Sequence, residues 1–116
     1  MREFYYGFRQ AQELKTKQAE ELDWRLGKTI EEVKRLLDAA ERYYREGNLA
    51  ACCAAIYWAH AEYYRALGLR EAMYALGFTT PAQMWSGTFD VLIDRIRKVY
   101  ERYGCWRRWN PWFVWH

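Results

Sequence analysis

The sequence predicts an all-α protein: a small bundle of about five helices, with a long N-terminal helical arm and a Trp-rich C-terminal tail. Three observations lead there. Apolar residues recur at three- and four-residue steps in successive stretches, the spacing of one helix face. Glycines and capping residues punctuate those stretches. No stretch alternates apolar and polar residues as a half-buried strand would. We divide the 116 residues into an arm (1–27), a bundle (28–104) and an aromatic, basic tail (105–116).

Residues 2–26 read as the first helix, with Phe4, Phe8, Ala11, Leu14, Leu22 and Leu26 along one stripe and a polar middle. A helix so polar at its centre bridges solvent or needs a partner. Gly27 suits the left-handed position that ends a helix. Thr29 and Glu32 form a capping box for a second helix reaching about Glu46, whose stripe is Ile30, Val33, Leu37, Ala40 and Tyr44. Glu31–Arg35, Lys34–Asp38, Asp38–Arg42 and Glu41–Arg45 are opposite charges at i,i+4. Gly47-Asn48 makes a turn with Asn48 as N-cap of a third helix, Leu49–Leu67, so helices two and three form an antiparallel hairpin. Its Ala and Cys content marks it as the buried central helix. Gly68 ends it, and Arg70–Leu76 gives a short fourth helix ended by Gly77. Thr80-Pro81-Ala82-Gln83 is a further start signal, with Thr80 as N-cap. Gly87 breaks or bends this element. From Thr88, the residues Phe89, Leu92, Ile93, Ile96, Val99, Tyr100 and Tyr103 make one helical face that ends at Gly104. Pro111 excludes a single regular helix for the tail.

Composition narrows the class of protein. Seven Trp, ten Tyr and 52% hydrophobic residues exclude a disordered chain, and the length allows one core. The uncharged Leu49–Ala61 stretch is too short to cross a bilayer. The N-terminal residues lack an apolar signal core, which argues for an intracellular or virion setting and against secretion. Three cysteines, Cys52, Cys53 and Cys105, fit a reducing compartment, and their odd number leaves at least one thiol unpaired. Thirteen Arg against five Lys, with almost no Ser or Asn, hint at a thermophile.

No catalytic signature stands out. His60 and Cys53 share a helix face, but no metal-ligand spacing supports them, so core packing is the reading we adopt. Ser86 has no neighbouring base, and Cys52 and Cys53 fall in a segment expected to be buried and inert. Asp90 and Asp94 lie one turn apart, where pairing of Asp94 with Lys98 explains them better than acid–base work. Gly87-Thr88-Phe89-Asp90 has the opening of a nucleotidyltransferase phosphate loop without the histidine motif that should come after it. We therefore expect no enzyme, no cofactor, no metal and no small-molecule substrate.

Two features point to macromolecular partners. The formal charge of +3 lies wholly in residues 79–116, which hold six basic and three acidic side chains. Arg95, Lys98 and Arg102 share a face of the last helix, and Arg107 and Arg108 continue it. A row of cations one turn apart can neutralise successive phosphates of a nucleic acid. In the tail, Trp106, Trp109, Trp112 and Trp115 recur at every third residue, the period of an extended or 3₁₀ run with all four indoles on one side. Trp and Arg are enriched at interface centres, so this row reads as an intersubunit site, joined by Phe4 and Phe8 at the other terminus, with sealing of the chain's own core as the alternative. The tail lacks a sustained amphipathic helix, which argues against membrane docking.

Residues 36–69 resemble a small archaeal helical-hairpin family of unknown function, through an aromatic-rich helix, the Gly47-Asn48 turn and an Ala-rich helix, with Ala59-His60-Ala61 where that family has Ala-His-Gly. That resemblance implies a fold and no activity. Residues 77–111 resemble the C-terminal half of coat proteins from rod-shaped and filamentous archaeal viruses. The matching pieces are Gly77-Phe78-Thr79-Thr80-Pro81, the helix ending Tyr103-Gly104, and Asn110-Pro111. Such coats wrap double-stranded DNA with an N-terminal helical arm; by this resemblance Lys15, Lys17 and Arg25, with Arg2 and Arg9, would meet phosphates. Glu20, Glu21 and Asp23 sit awkwardly in such an arm. The expectation is a non-catalytic homo-oligomer or coat-type assembly packed against nucleic acid. The alternative is a helical accessory module that binds a protein partner and neither nucleic acid nor substrate.

Overall fold

The computed structural model describes the backbone of residues 2–105 and the side chains of residues 15–105. The expected tail residues Trp106, Arg107, Arg108, Trp109, Trp112 and Trp115, and the side chains of Phe4 and Phe8, lie outside those bounds. The described residues form α1 (Arg2–Arg45), α2 (Leu49–Ala75), α3 (Thr79–Met84) and α4 (Ser86–Tyr103), with no strand among them. The all-α class holds, but there are three long helices and one of six residues where about five were expected.

The missing boundaries are at Gly27 and Gly68. α1 runs straight through Gly27, and the Thr29 hydroxyl, expected to cap a new helix, donates instead to the Arg25 carbonyl at 2.9 Å inside the same helix. The stripe explains the continuity. Leu26, Ile30, Val33, Leu37 and Ala40 are all buried, so a break at 27 would pull Leu26 off the core it shares with its successors. Gly27 has a packing role: the Trp85 indole lies over it, with Cη2 3.5 Å from where a Cβ would stand. Trp85 Nε1 donates to Asp23 Oδ1 at 2.7 Å, one turn earlier on α1. α2 likewise continues through Gly68, which keeps an ordinary helical φ, because Ala66 and Met73 are buried on either side of it.

The true turns carry the expected local chemistry. Gly47 (φ 77°) and Gly77 (φ 85°) adopt the left-handed conformation that residues with a Cβ avoid. At each, the next residue's amide reaches back to close the helix: Asn48 N–H to Tyr43 O at 2.9 Å and Phe78 N–H to Met73 O at 2.8 Å. The Asn48 side chain then caps α2 by accepting from the Ala51 amide at 3.1 Å. Thr80 does not cap α3; Phe78 occupies that position without a side-chain hydrogen bond. The bend between α3 and α4 falls at Trp85 rather than Gly87, and α4 ends at Gly104 as expected.

α1 and α2 pack as an antiparallel hairpin, and α4 lies across both. The core joins the α1 stripe to Cys52, Cys53, Ile56, Ala59, Tyr63 and Met73 of α2 and to Phe89, Leu92, Ile96 and Val99 of α4. A disulfide links Cys53 to Cys105, with Cα atoms 5.2 Å apart and a sequence separation of 52. Cys52, buried in the core, is the unpaired thiol that the odd number of cysteines required. Leu76, just past the end of α2, comes level with Gln18 and Leu22 of α1. Residues 2–17 of α1 therefore run about 24 Å beyond α2 at 1.5 Å per residue. The projecting arm is shorter than the expected 1–27.

Because Gly27 is an interior helix position with room for a methyl group beside Trp85, Gly27→Ala should raise stability by about 0.5–1 kcal/mol. A glycine ending a helix in the left-handed conformation would respond with the opposite sign. Urea unfolding reads the change as a shift in midpoint at constant slope.

Candidate interaction surfaces

α2 is apolar on nearly every side over its first half, yet α1 and α4 cover only part of it. Its outer face carries Ala50, Ala54, Tyr57, Ala61, Tyr64 and Gly68 at alternating steps of four and three, flanked by Trp58 and Arg65. Tyr57, Trp58 and Tyr64 are 46%, 60% and 53% exposed. The expectation of a wholly buried central helix is thus corrected. The pattern was visible in the sequence, but an all-round apolar helix does not announce which side its neighbours will leave open.

Beside this face, a shallow groove of about 380 Å³ runs between α1 and α2, lined by Trp24, Lys28, Glu32, Glu62, Arg65 and Leu69. Trp24 is well exposed, with the Lys28 ammonium 5.8 Å from its ring centroid. The exposed Arg65 lies 3.8 Å from the half-buried Glu62, a long and weak pair. The groove extends the aromatic face towards α1.

The expected phosphate-contact row is divided by the fold. Arg95 is turned inward to α1, where it donates to Asp38 Oδ1 at 2.7 Å and Glu41 Oε1 at 3.0 Å. Burial opposes its charge, but the two carboxylates outweigh that and hold its pKa above the ordinary value. Arg95 is therefore a strap between α1 and α4, made from residues 57 and 54 positions apart in sequence. The same strap takes Asp38 and Glu41 away from their expected i,i+4 partners; on α1 the pairs formed include Arg35 with Glu32 and Lys28 with Glu31. Lys98 is exposed and meets Asp94 at 2.8 Å, as its spacing suggested, while Arg102 is exposed in the last turn of α4. Lys15 and Lys17 are exposed on the projecting part of α1, and Arg25 pairs with Glu21 at 2.7 Å.

The groups considered for chemistry are dispersed. Burial raises the Cys52 thiol pKa, which disfavours the reactive thiolate. Among the described residues no group of three or more His, Cys, Asp or Glu is placed to hold a metal ion, and no helix is long and apolar enough to cross a membrane. His60 is buried between the rings of Tyr64, centroids 4.7 Å apart, and Tyr100, edge-on at 5.7 Å. Burial pushes its pKa down from 6.5 to about 4, so the ring is neutral at pH 7.

This makes stability pH-dependent with a definite sign. In the unfolded chain His60 gains its proton near pH 6.5, whereas in the folded chain it resists until about pH 4. Its contribution is complete above pH 6.5 and is lost as pH falls through that window, by about 2–3 kcal/mol at pH 4.5. Denaturant titrations at pH 7 and 4.5 should show that loss in the wild type and its absence in His60→Phe, which keeps the ring contacts.

Compared with protein-family models, curated proteins and solved structures, the chain matches none.

Proposed function

We propose that this chain is a non-catalytic structural protein that self-associates and packs against nucleic acid. The observation that supports it most is the outer face of α2: a run of Tyr, Trp and small residues, flanked by Arg65, that the described helices leave about half exposed. Contiguous apolar surface of this kind marks sites of association. Tyr, Trp and Arg, the residues that dominate binding energy at interfaces, gather on it as Tyr57, Trp58, Tyr64 and Arg65.

The nucleic-acid part of the reading rests on Lys98 and Arg102, both exposed on α4 and leading to Arg107 and Arg108. Lys15 and Lys17 on the projecting turns of α1 suit a second line of phosphate contacts. A coat-type assembly on double-stranded DNA is the form of this reading implied by the resemblance of residues 77–111. A second reading, a helical module that binds another protein and no nucleic acid, draws support from Arg95, whose engagement with Asp38 and Glu41 removes one of three cations from the basic face.

Salt dependence of binding separates the two. Lys98→Ala with Arg102→Ala, leaving the Arg95 strap intact, should weaken binding to duplex DNA. The slope of log affinity against log salt should become shallower by about 2, one unit per lost phosphate contact. An unchanged slope, or no binding by the wild type at low salt, would favour the protein-partner reading.

A further inference from the structure

We propose that the outer face of α2 is where two copies of this chain meet, with α2 crossing its counterpart antiparallel about a two-fold axis at Ala61. This rests on the proposed self-association and names its surface. The order of side chains about Ala61 is nearly the same in both directions: Tyr57 four residues before and Tyr64 three after, then Ala54 and Gly68 seven away on either side. A two-fold interface places the same patch on both copies, so the patch must complement itself.

An antiparallel crossing at Ala61 brings residue 61 − n level with residue 61 + n of the second copy. Because the two-fold keeps each lateral edge of the face while reversing height, Trp58 lies beside Arg65 of the second copy on one edge, Tyr57 beside Tyr64 on the other, and Gly68 meets Ala54 near the seam. Aromatic pairs and a guanidinium beside an indole ring are both favourable in such contacts. Ala61 at the crossing and Ala54 and Gly68 beside it let the backbones approach closely. Charge selects the direction. A parallel pairing in register would bring Arg65 level with Arg65, whereas the antiparallel one sets Arg65 beside Trp58.

Ala61 is exposed, so a charge placed there leaves the core intact, which circular dichroism and thermal melting check. Sedimentation equilibrium is run on the full chain, on Ala61→Glu and Ala61→Arg separately, and on their equimolar mixture. The wild type should associate; each variant alone, with like charges opposed at the axis, should associate about 100-fold more weakly. The mixture should recover, since Glu then meets Arg. If the wild type associates and both variants match it, assembly stands but uses another surface, and this inference fails. If both variants are monomers and their mixture is too, the face is used without a two-fold at Ala61, which also overturns it. A wild type that stays monomeric at high micromolar concentration overturns the self-association as well.

Discussion

α2 needs cover around most of its circumference, and the chain supplies two long helices to give it. That mismatch governs the rest of the structure. α1 takes the side carrying Ala55, Ala59 and Ala66, where small side chains allow two helices to run close together. α4 takes the side carrying Cys53, Ile56, His60 and Tyr63. The third side keeps Tyr57, Trp58, Ala61 and Tyr64 in contact with water. A solvated helix face ordinarily carries charges, yet between Asn48 and Ala61 this helix carries none.

The covers that exist are fastened from several directions. Arg95 straps α4 to the Asp38 and Glu41 carboxylates of α1. Trp85 holds the α3–α4 bend to α1 by stacking on Gly27 and bonding to Asp23. Tyr44 and Tyr103 stack at 3.9 Å where α1 and α4 end, and the Cys53–Cys105 disulfide closes the same region onto α2. Each fastening restricts where α4 can sit. Sliding α4 over the open side of α2 to bury the aromatic face would break the Arg95 strap and strip Phe89, Leu92 and Ile96 from the core. The open side is therefore a consequence of how the chain is tied.

Much of this was readable from local chemistry. Asn48 as a cap, Gly47, Gly77 and Gly104 as helix ends, and the α4 face from Phe89 to Tyr100 all depend on residues within a turn of one another. Gly27 and Gly68 misled because a glycine ends a helix only where the apolar stripe also ends. Leu22, Leu26, Ile30, Val33 and Leu37 continue across Gly27 at steps of three and four, and that unbroken stripe was the better guide. Thr29 was ambiguous for a related reason: the same hydroxyl serves as a cap or as a donor to the carbonyl one turn back. Distant partners were out of reach. Nothing near Arg95 in the sequence points to Asp38 and Glu41, and cysteine parity alone could not choose Cys53 and Cys105 as the pair. The site suffered more than the fold, since choosing the open side of α2 requires knowing where all three long helices lie.

Cover of the open side of α2 by a second copy, paired about Ala61, is tested most directly by a single thiol at that position. The native chain offers no competing exposed thiol among its described residues, because Cys53 and Cys105 are bonded and Cys52 is buried. Ala61→Cys, oxidised in dilute solution, should give a covalent dimer on a non-reducing gel. Gly68→Cys should not, because two copies of position 68 would lie about 21 Å apart across the axis. Equal cross-linking at both positions, or none at Ala61→Cys, would contradict this pairing.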